Sequence, residues 1–396
     1  MTFNEIKNTA DKYLMPTYAH FDTALKSGSG ATIIDAQGRE LIDFTSGIGV
    51  VSIGAGDESW ANAVANQAKA LAHSSNLYYN EPNAMLAKEL CERAGYDKVF
   101  FCNSGAEANE CAIKLARKYS FDKYGENRFN IISLENSFHG RTMATVTATG
   151  QDDFHKFFFP FNGGFKYAPA NDLDSFKKLI ASSDVCAVMI ELIQGEGGVC
   201  PLDKSYVQSI AQICKDNDIL LVVDEVQTGV GRTGSFFAFE HFGVNPDIIT
   251  SAKGLGNGLP IGACLCKAFL GNTLTPGTHG TTFGGNPVVC AGSLEVLKRI
   301  DSDLLTEVTK KGEYIRAKLA DFEEVEEVRG LGLMIGIKLK TMDAKDVAKT
   351  CISNGLLILT AKTLLRMLPP LTISYEEIDK GIEILKSALM PKGEQV

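Results

Sequence analysis

The sequence predicts an α/β protein with a mostly parallel central sheet sandwiched by helices, and a smaller α+β domain drawn from both termini. Two observations carry that expectation. Between about residues 60 and 290, short apolar runs alternate with helix-length segments, and runs bounded by polar or glycine residues read as strands buried on both faces. The two ends of the chain break this rhythm, with a hairpin pattern near the start and a mixture of helix and strand after Pro287.

Taken in order, TIIDAQGRELIDFTSG reads as a hairpin around the turn AQGR. KVFFCN is a strand and AEANECAIKLARKYSF the helix after it. FNIISL, DVCAVMIEL and ILLVVDE continue the strands, KSYVQSIAQICKDN is a crossover helix, and PDIITSAK reads as a strand ending at Lys253. Beyond Pro287, VVCAGSLEVLKRIDSDLLTEVTKKGEYIRAKLADF has one long helical pattern. It is followed by the β-rich VEEVRGLGLMIGIKL, the amphipathic helix DAKDVAKTCISNG, two short strands and a final helix. The expected domains are an N-terminal segment 1–55 belonging to the small domain, a large domain 56–290 and a C-terminal small domain 291–396. No repeat and no Pro/Ser-rich linker divides them, so firm packing is expected.

Composition narrows the function. A chain of 396 residues with 45% hydrophobic and 22% charged side chains is an ordinary globular sequence. Its net charge of -9 and lack of a basic run argue against a nucleic-acid partner, which needs a cationic face. The ten cysteines form no C-x-x-C pairs, so no metal site is expected, and a reducing cytoplasm is the natural setting. No apolar stretch reaches the roughly 18 residues of a membrane span, and the N-terminus lacks the apolar core of a signal peptide.

Ligands of open α/β sheets bind beyond the carboxyl ends of the strands, and three such ends stand out. After KVFFCN, the residues Asn103, Ser104, Gly105 and Ala106 open a helix, where free N–H groups and a hydroxyl suit an anion such as phosphate. The alternative is that Ser104 only caps the helix. ILLVVDE ends in Asp224 and Glu225, of which side-chain alternation lets only one enter the crevice. The third end is Lys253, whose neighbours Ser251, Ala252 and Gly254 leave room for a flat ligand joined to its amine. Its plain alternative is a solvated loop lysine. Phosphate site, buried carboxylate and lysine around one crevice are what pyridoxal 5'-phosphate requires. The glycines of KGLGNGLPIG do not give G-x-G-x-x-G, and no Walker, H-E-x-x-H or G-x-S-x-G motif is present.

Over nearly its whole length the chain resembles the class III (subgroup II) pyridoxal-phosphate aminotransferases of fold type I. NSGAEANECAIKLAR, ENSFHGRTMATVTATG, ELIQGEGGV, LLVVDEVQTGVGRTGSFFAFEHFGVNPDIITSAKGLGNGLPIGA and HGTTFGGNP carry the resemblance. It implies that Lys253 holds the cofactor aldehyde and then moves the proton, that Asp224 pairs with the pyridine nitrogen, and that Gln227 bonds the phenolic oxygen. By the same resemblance, Ser104, Gly105 and Ala106 hold the phosphate, Phe138 covers the ring with His139 beside it, and Thr282 reaches the phosphate of a neighbouring subunit in an obligate homodimer. Arg141 and Arg366 would bind substrate carboxylates, with Glu196 as a switchable partner that hides Arg366.

YLMPTY, FHGRT and LLRMLPPLTIS are most similar to the branch acting on N2-acetylornithine. The implied reaction moves its terminal amino group to 2-oxoglutarate, giving N-acetylglutamate 5-semialdehyde and glutamate in a ping-pong cycle of arginine biosynthesis. Ile48, where ornithine enzymes carry tyrosine, favours an acylated substrate, and Tyr18 would close over it. Succinylornithine, N-succinyl-diaminopimelate, 4-aminobutyrate and ornithine aminotransferases, and glutamate-1-semialdehyde aminomutase, remain alternatives. One departure is SIGAGDES at 52–59, which lacks the His and Pro that relatives carry there.

Overall fold

The computed structural model describes residues 1–390, so residues 391–396 of the expected C-terminal domain lie outside the described residues. A seven-stranded sheet forms the centre, in the spatial order Lys98–Cys102, Gly262–Cys266, Ile248–Ser251, Leu220–Asp224, Val185–Ile190, Asn130–Leu134 and Phe165–Ala168. Gly262–Cys266 runs antiparallel to both neighbours, and the other neighbouring pairs are parallel. The reversed strand has a simple cause. A parallel return needs a crossover of about a dozen residues or more, and the connection from Ser251 to Gly262 is a short turn containing the 3-10 segment Lys253–Leu255.

The apolar runs are buried on both faces because alternate side chains enter different cores. Val188, Ile190, Leu221, Val223 and Ile249 join one cluster, while Ala187, Met189, Leu220, Val222 and Ile248 join the other. The helix Gly105–Tyr124 covers the second face with Ala108, Cys111, Ala112, Leu115 and Ala116. Their three- and four-residue spacing makes one stripe, and their small size brings the helix close to the sheet. Among the described residues all ten cysteines are free and eight are buried, and no helix is long and apolar enough to cross a membrane.

The two chain ends meet in one sheet. Thr32–Asp35 and Glu40–Asp43 form the expected hairpin, its turn fixed by Asp35, whose carboxylate accepts from the N–H groups of Gln37 and Arg39 and from Arg39 Nε. Glu40–Asp43 pairs in parallel with Leu356–Leu357. A second sheet joins Val325–Leu331, Met334–Leu339, Leu364–Met367 and Leu359–Ala361, giving three short late strands where two were expected.

The long helical pattern after Pro287 is two helices, Pro287–Arg299 and Ser302–Ala320. Asp301 separates them by capping the second, its carboxylate accepting the Leu304 N–H at 2.8 Å. Pro287–Arg299 packs against Glu58–Ala70 and Glu81–Ala94, so the expected boundary at 290/291 falls inside a helix. The unusual SIGAGDES stretch has a structural use. Gly54 has a φ of +88° and a Cβ there would lie 2.8 Å from the Gly30 Cα, while Asp57 caps Glu58–Ala70 and pairs with Arg299 at 2.9 Å.

Candidate active site

A cavity of about 410 Å³ opens at the carboxyl ends of the central strands. Asp224 is the last residue of Leu220–Asp224 and is 4% exposed. Its Oδ2 accepts from Asn109 Nδ2 at 2.7 Å and faces His139 Nδ1 at 2.8 Å, and its Oδ1 accepts the Val226 N–H at 3.0 Å. Donors converging on one carboxylate stabilise its negative charge. Asn109 is itself fully engaged: its other amide contacts are the His139 carbonyl at 2.8 Å and the Thr250 hydroxyl at 2.7 Å. Glu225 faces the other way, accepting from Thr228 Oγ1 and from the Phe239 N–H, and burial pushes its carboxyl up to about 7.

Lys253 stands two residues past the end of its strand, which stops at Ser251 rather than at the lysine. Ala252 is extended and Lys253 takes a left-handed φ of +43°, a strained conformation for a long side chain that is held by the surrounding packing. Burial first, then the positive charge of Arg366, holds its ammonium below the ordinary lysine range, with Glu196, Asp224 and Glu191 opposing.

At the other side of the cavity, Ser104 caps the helix Gly105–Tyr124: its hydroxyl accepts the Glu107 N–H and its carbonyl the Ala108 N–H. This leaves the first-turn N–H groups of Gly105 and Ala106, both lining the cavity, for an anion. Gly105 is needed by contact, since a Cβ would meet Val226 Cγ1 at 2.7 Å. Phe138 and His139 also line the cavity, and the buried His139 Nε2 has no hydrogen-bond partner among the described residues. A helix start for phosphate, a carboxylate for a ring nitrogen, a depressed lysine and an orphaned ring nitrogen fit pyridoxal phosphate.

The substrate side is less uniform. Arg141 is exposed, its guanidinium 4.0 Å from the Phe154 ring and 5.7 Å from the Phe138 ring. Arg366 is 3% exposed; it donates to Glu196 Oε1 at 2.6 Å and to Gln227 Oε1 at 3.3 Å, while its Nε has no partner among the described residues. Ile48 sits in a left-handed turn with Ser46, Gly47 and Gly49 and is 43% exposed. Its neighbour Val50, not Ile48, lines the cavity. Tyr18 lies 79% exposed in a separate hollow beside the N-terminal helix Phe3–Tyr13, and Thr282 is exposed away from the cavity of its own chain.

Glu191 and Asn109 escaped the sequence reading. Glu191 closes the apolar run VCAVMI as Asp224 closes LLVV, so the same strand-end rule could have found it. Asn109 offered a weaker signal, an amide inside an otherwise apolar helix face. Among the described residues no cluster of three or more His, Cys, Asp or Glu could hold a metal ion.

Residues 13–389 match the family described as Aminotransferase class-III. The chain is a class-III aminotransferase. Its relatives include the acetylornithine aminotransferase of Haemophilus ducreyi, 52% identical over 98% of this chain and 99% of that protein. The acetylornithine aminotransferase of Caldanaerobacter subterraneus is 46% identical over 96% and 97%. Among solved structures, ornithine aminotransferase from Toxoplasma gondii superposes with a TM-score of 0.94 at 30% identity, covering 98% of this chain and 95% of that one. N-acetylornithine aminotransferase from Stenotrophomonas maltophilia gives 0.83 at 36%, covering 96% and 98%. Class-III aminotransferases depend on pyridoxal phosphate and share the fold type I architecture described above. Enzymes named for different amines thus share this backbone, and substrate choice rests on side chains.

Proposed function

We propose that this class-III aminotransferase moves the terminal amino group of N2-acetylornithine to 2-oxoglutarate, forming N-acetylglutamate 5-semialdehyde and glutamate in arginine biosynthesis. The observation that carries the reading is the pair Arg366–Glu196 beside the lysine, with a second arginine, Arg141, at the mouth. Glutamate and 2-oxoglutarate bring carboxylates at both ends, whereas the reacting end of acetylornithine has none. With Glu196 on Arg366 the positive charge is neutralised for the amine; with Glu196 withdrawn, Arg366 takes the carboxylate next to the reacting carbon and Arg141 the distal one. The names of the relatives in Haemophilus ducreyi and Caldanaerobacter subterraneus support the same choice.

Pyridoxal phosphate, when bound, supplies an electron-accepting ring. Gly105, Ala106 and Ser104 would hold its phosphate, Phe138 would cover one face, and Asp224 would keep its ring nitrogen protonated, steadied by His139 and Asn109. Gln227 would turn from Arg366 to the phenolic oxygen. Lys253 would carry the covalent link and then, as a free amine, take the proton from the substrate carbon and return it on the cofactor side. Its depressed ammonium serves that duty, because a base must be available in neutral form.

The site is completed in a homodimer on this reading. Leu77, Tyr78, Tyr79 and Phe283 are 87%, 70%, 106% and 62% exposed, and Asn76 ties their two segments together through the carbonyls of Thr281 and Gly284, which flank Thr282 and Phe283. So much exposed apolar surface in one place suits a second copy of the chain, whose phosphate Thr282 would reach. A cytoplasmic setting agrees with the free thiols.

The test is a single-turnover reaction of the pyridoxal form with N2-acetylornithine, ornithine, 4-aminobutyrate and N-succinyl-diaminopimelate in turn, followed by the cofactor's absorbance. Fastest conversion by acetylornithine is expected. Fastest conversion by ornithine or 4-aminobutyrate would overturn the substrate and leave the family untouched.

A further inference from the structure

Glu191 has no part in the chemistry above, yet it is 6% exposed and lines the cavity. Its two carboxylate oxygens serve two different segments. Oε2 accepts the Phe138 N–H at 2.9 Å, and Oε1 accepts the Gly195 N–H at 3.3 Å. Phe138 bears the ring that covers the cofactor site. Gly195 immediately precedes Glu196, the partner of Arg366 at 2.6 Å. Gly195 is also wedged against Gln227, since a Cβ there would come within 2.4 Å of the Gln227 side chain, and Gln227 accepts from Arg366. The backbone that presents Glu196 is therefore anchored on one side by Glu191 and blocked on the other by Gln227.

We propose that Glu191 is a positioning residue that ties the Glu196 gate to the Phe138 face of the cavity. It holds Gly195 so that Glu196 rests on Arg366 in the state that receives the amine. The carboxylate reaches both segments because it stands at the end of the strand Val185–Ile190, between them and fixed by the sheet. When the gate opens for a dicarboxylate, the longer contact to Gly195 is the one to give, while Phe138 stays fixed. This inference rests on the reading of Glu196 as a gate.

Glu191→Gln tests it in the holoenzyme. The amide keeps the shape but has one accepting oxygen, which serves the shorter bond to Phe138 and leaves an NH₂ facing the Gly195 N–H. The half-reaction with N2-acetylornithine should slow about tenfold and that with glutamate by less than about twofold, the size of one lost hydrogen bond acting in one state. In a Glu196→Ala background, Glu191→Gln should add no further asymmetry, because the gate it positions is gone. Equal slowing of both half-reactions, or a further tenfold asymmetric loss in the Glu196→Ala background, overturns the proposal. Should the amide variant fail to bind cofactor, Glu191→Asp, which keeps the carboxyl but cannot span both N–H groups, is read by the same two criteria. Glu196→Ala alone separates the two ideas: symmetric slowing there removes the gate itself. Asymmetric slowing there with a symmetric Glu191→Gln removes only the coupling.

Discussion

At the floor of the cavity, Asp224, Lys253 and Glu191 stand at or just past the ends of three adjacent parallel strands, packed against the sheet and tied to backbone or side-chain partners. At its mouth Arg141 is exposed, and the exposed Ile48, Thr282 and Tyr18 stand outside its lining. The floor is fixed by the sheet that also folds the protein. The mouth is built on loops and turns. The first set should govern whether chemistry occurs, and the second which molecule undergoes it.

Lys253→Ala is the strongest way to break that contrast. Turnover should fall by about 10³-fold or more with the fold intact, read by steady-state rate and circular dichroism, as expected for loss of the acid–base group. Retained turnover would remove the lysine from the mechanism.

Glu225→Gln probes the back of the same strand end. A carboxyl raised to about 7 by burial keeps its proton in the folded state while the unfolded chain has released it above its model value of 4.5. Its stabilising effect is therefore full below 4.5 and lost as pH rises to about 7. The glutamine variant lacks this loss, so its stability relative to the parent should grow by about 3 kcal/mol from pH 4 to pH 8. Urea denaturation at the two pH values checks the sign, and a flat difference would show that Glu225 is ionised in the folded protein.

At the mouth, Arg141→Lys should raise KM for N2-acetylornithine and 2-oxoglutarate about tenfold while leaving kcat within about twofold. Lysine keeps the charge but loses the planar fork that lies over Phe154. A fall in kcat equal to that of kcat/KM would place Arg141 in the transition state instead of in binding.

Ile48→Gly has the smallest effect and sharpens the contrast most. A β-branched residue in left-handed geometry costs about 1 kcal/mol, so deleting this side chain should leave thermal stability unchanged or slightly higher. Preference for N2-acetylornithine over ornithine should narrow at the same time. A stability loss above about 2 kcal/mol would show instead that Ile48 is part of the core.

Much of the floor was legible in the sequence. An apolar run that ends in an acid or a lysine places that side chain at a strand end, and strand ends in such sheets face ligand, so Asp224 and Lys253 follow from local pattern. Glu191 obeys the same rule, closing VCAVMI as Asp224 closes LLVV. The reversed strand Gly262–Cys266 and the break at Ile300–Asp301 were not legible by periodicity, since a short connection and a single cap decided them. Neither was the contact of Arg366 with Glu196, which only the resemblance to a family suggested, nor its contact with Gln227, which nothing in the sequence suggested.

The sequence by itself determined the alternation of strands and helices, the two-faced burial of the central strands, and which ionisable side chains stand at their ends. Each follows from spacing within about ten residues, the range over which helix and strand periods act. Tertiary structure alone decided which of those ends are neighbours. It set Asn109 on Asp224, Glu191 between Phe138 and Gly195, and Arg366 against Glu196 from 170 residues away. Such contacts are chosen by the order of strands in the sheet and the burial it makes available, and no local preference of the chain encodes them.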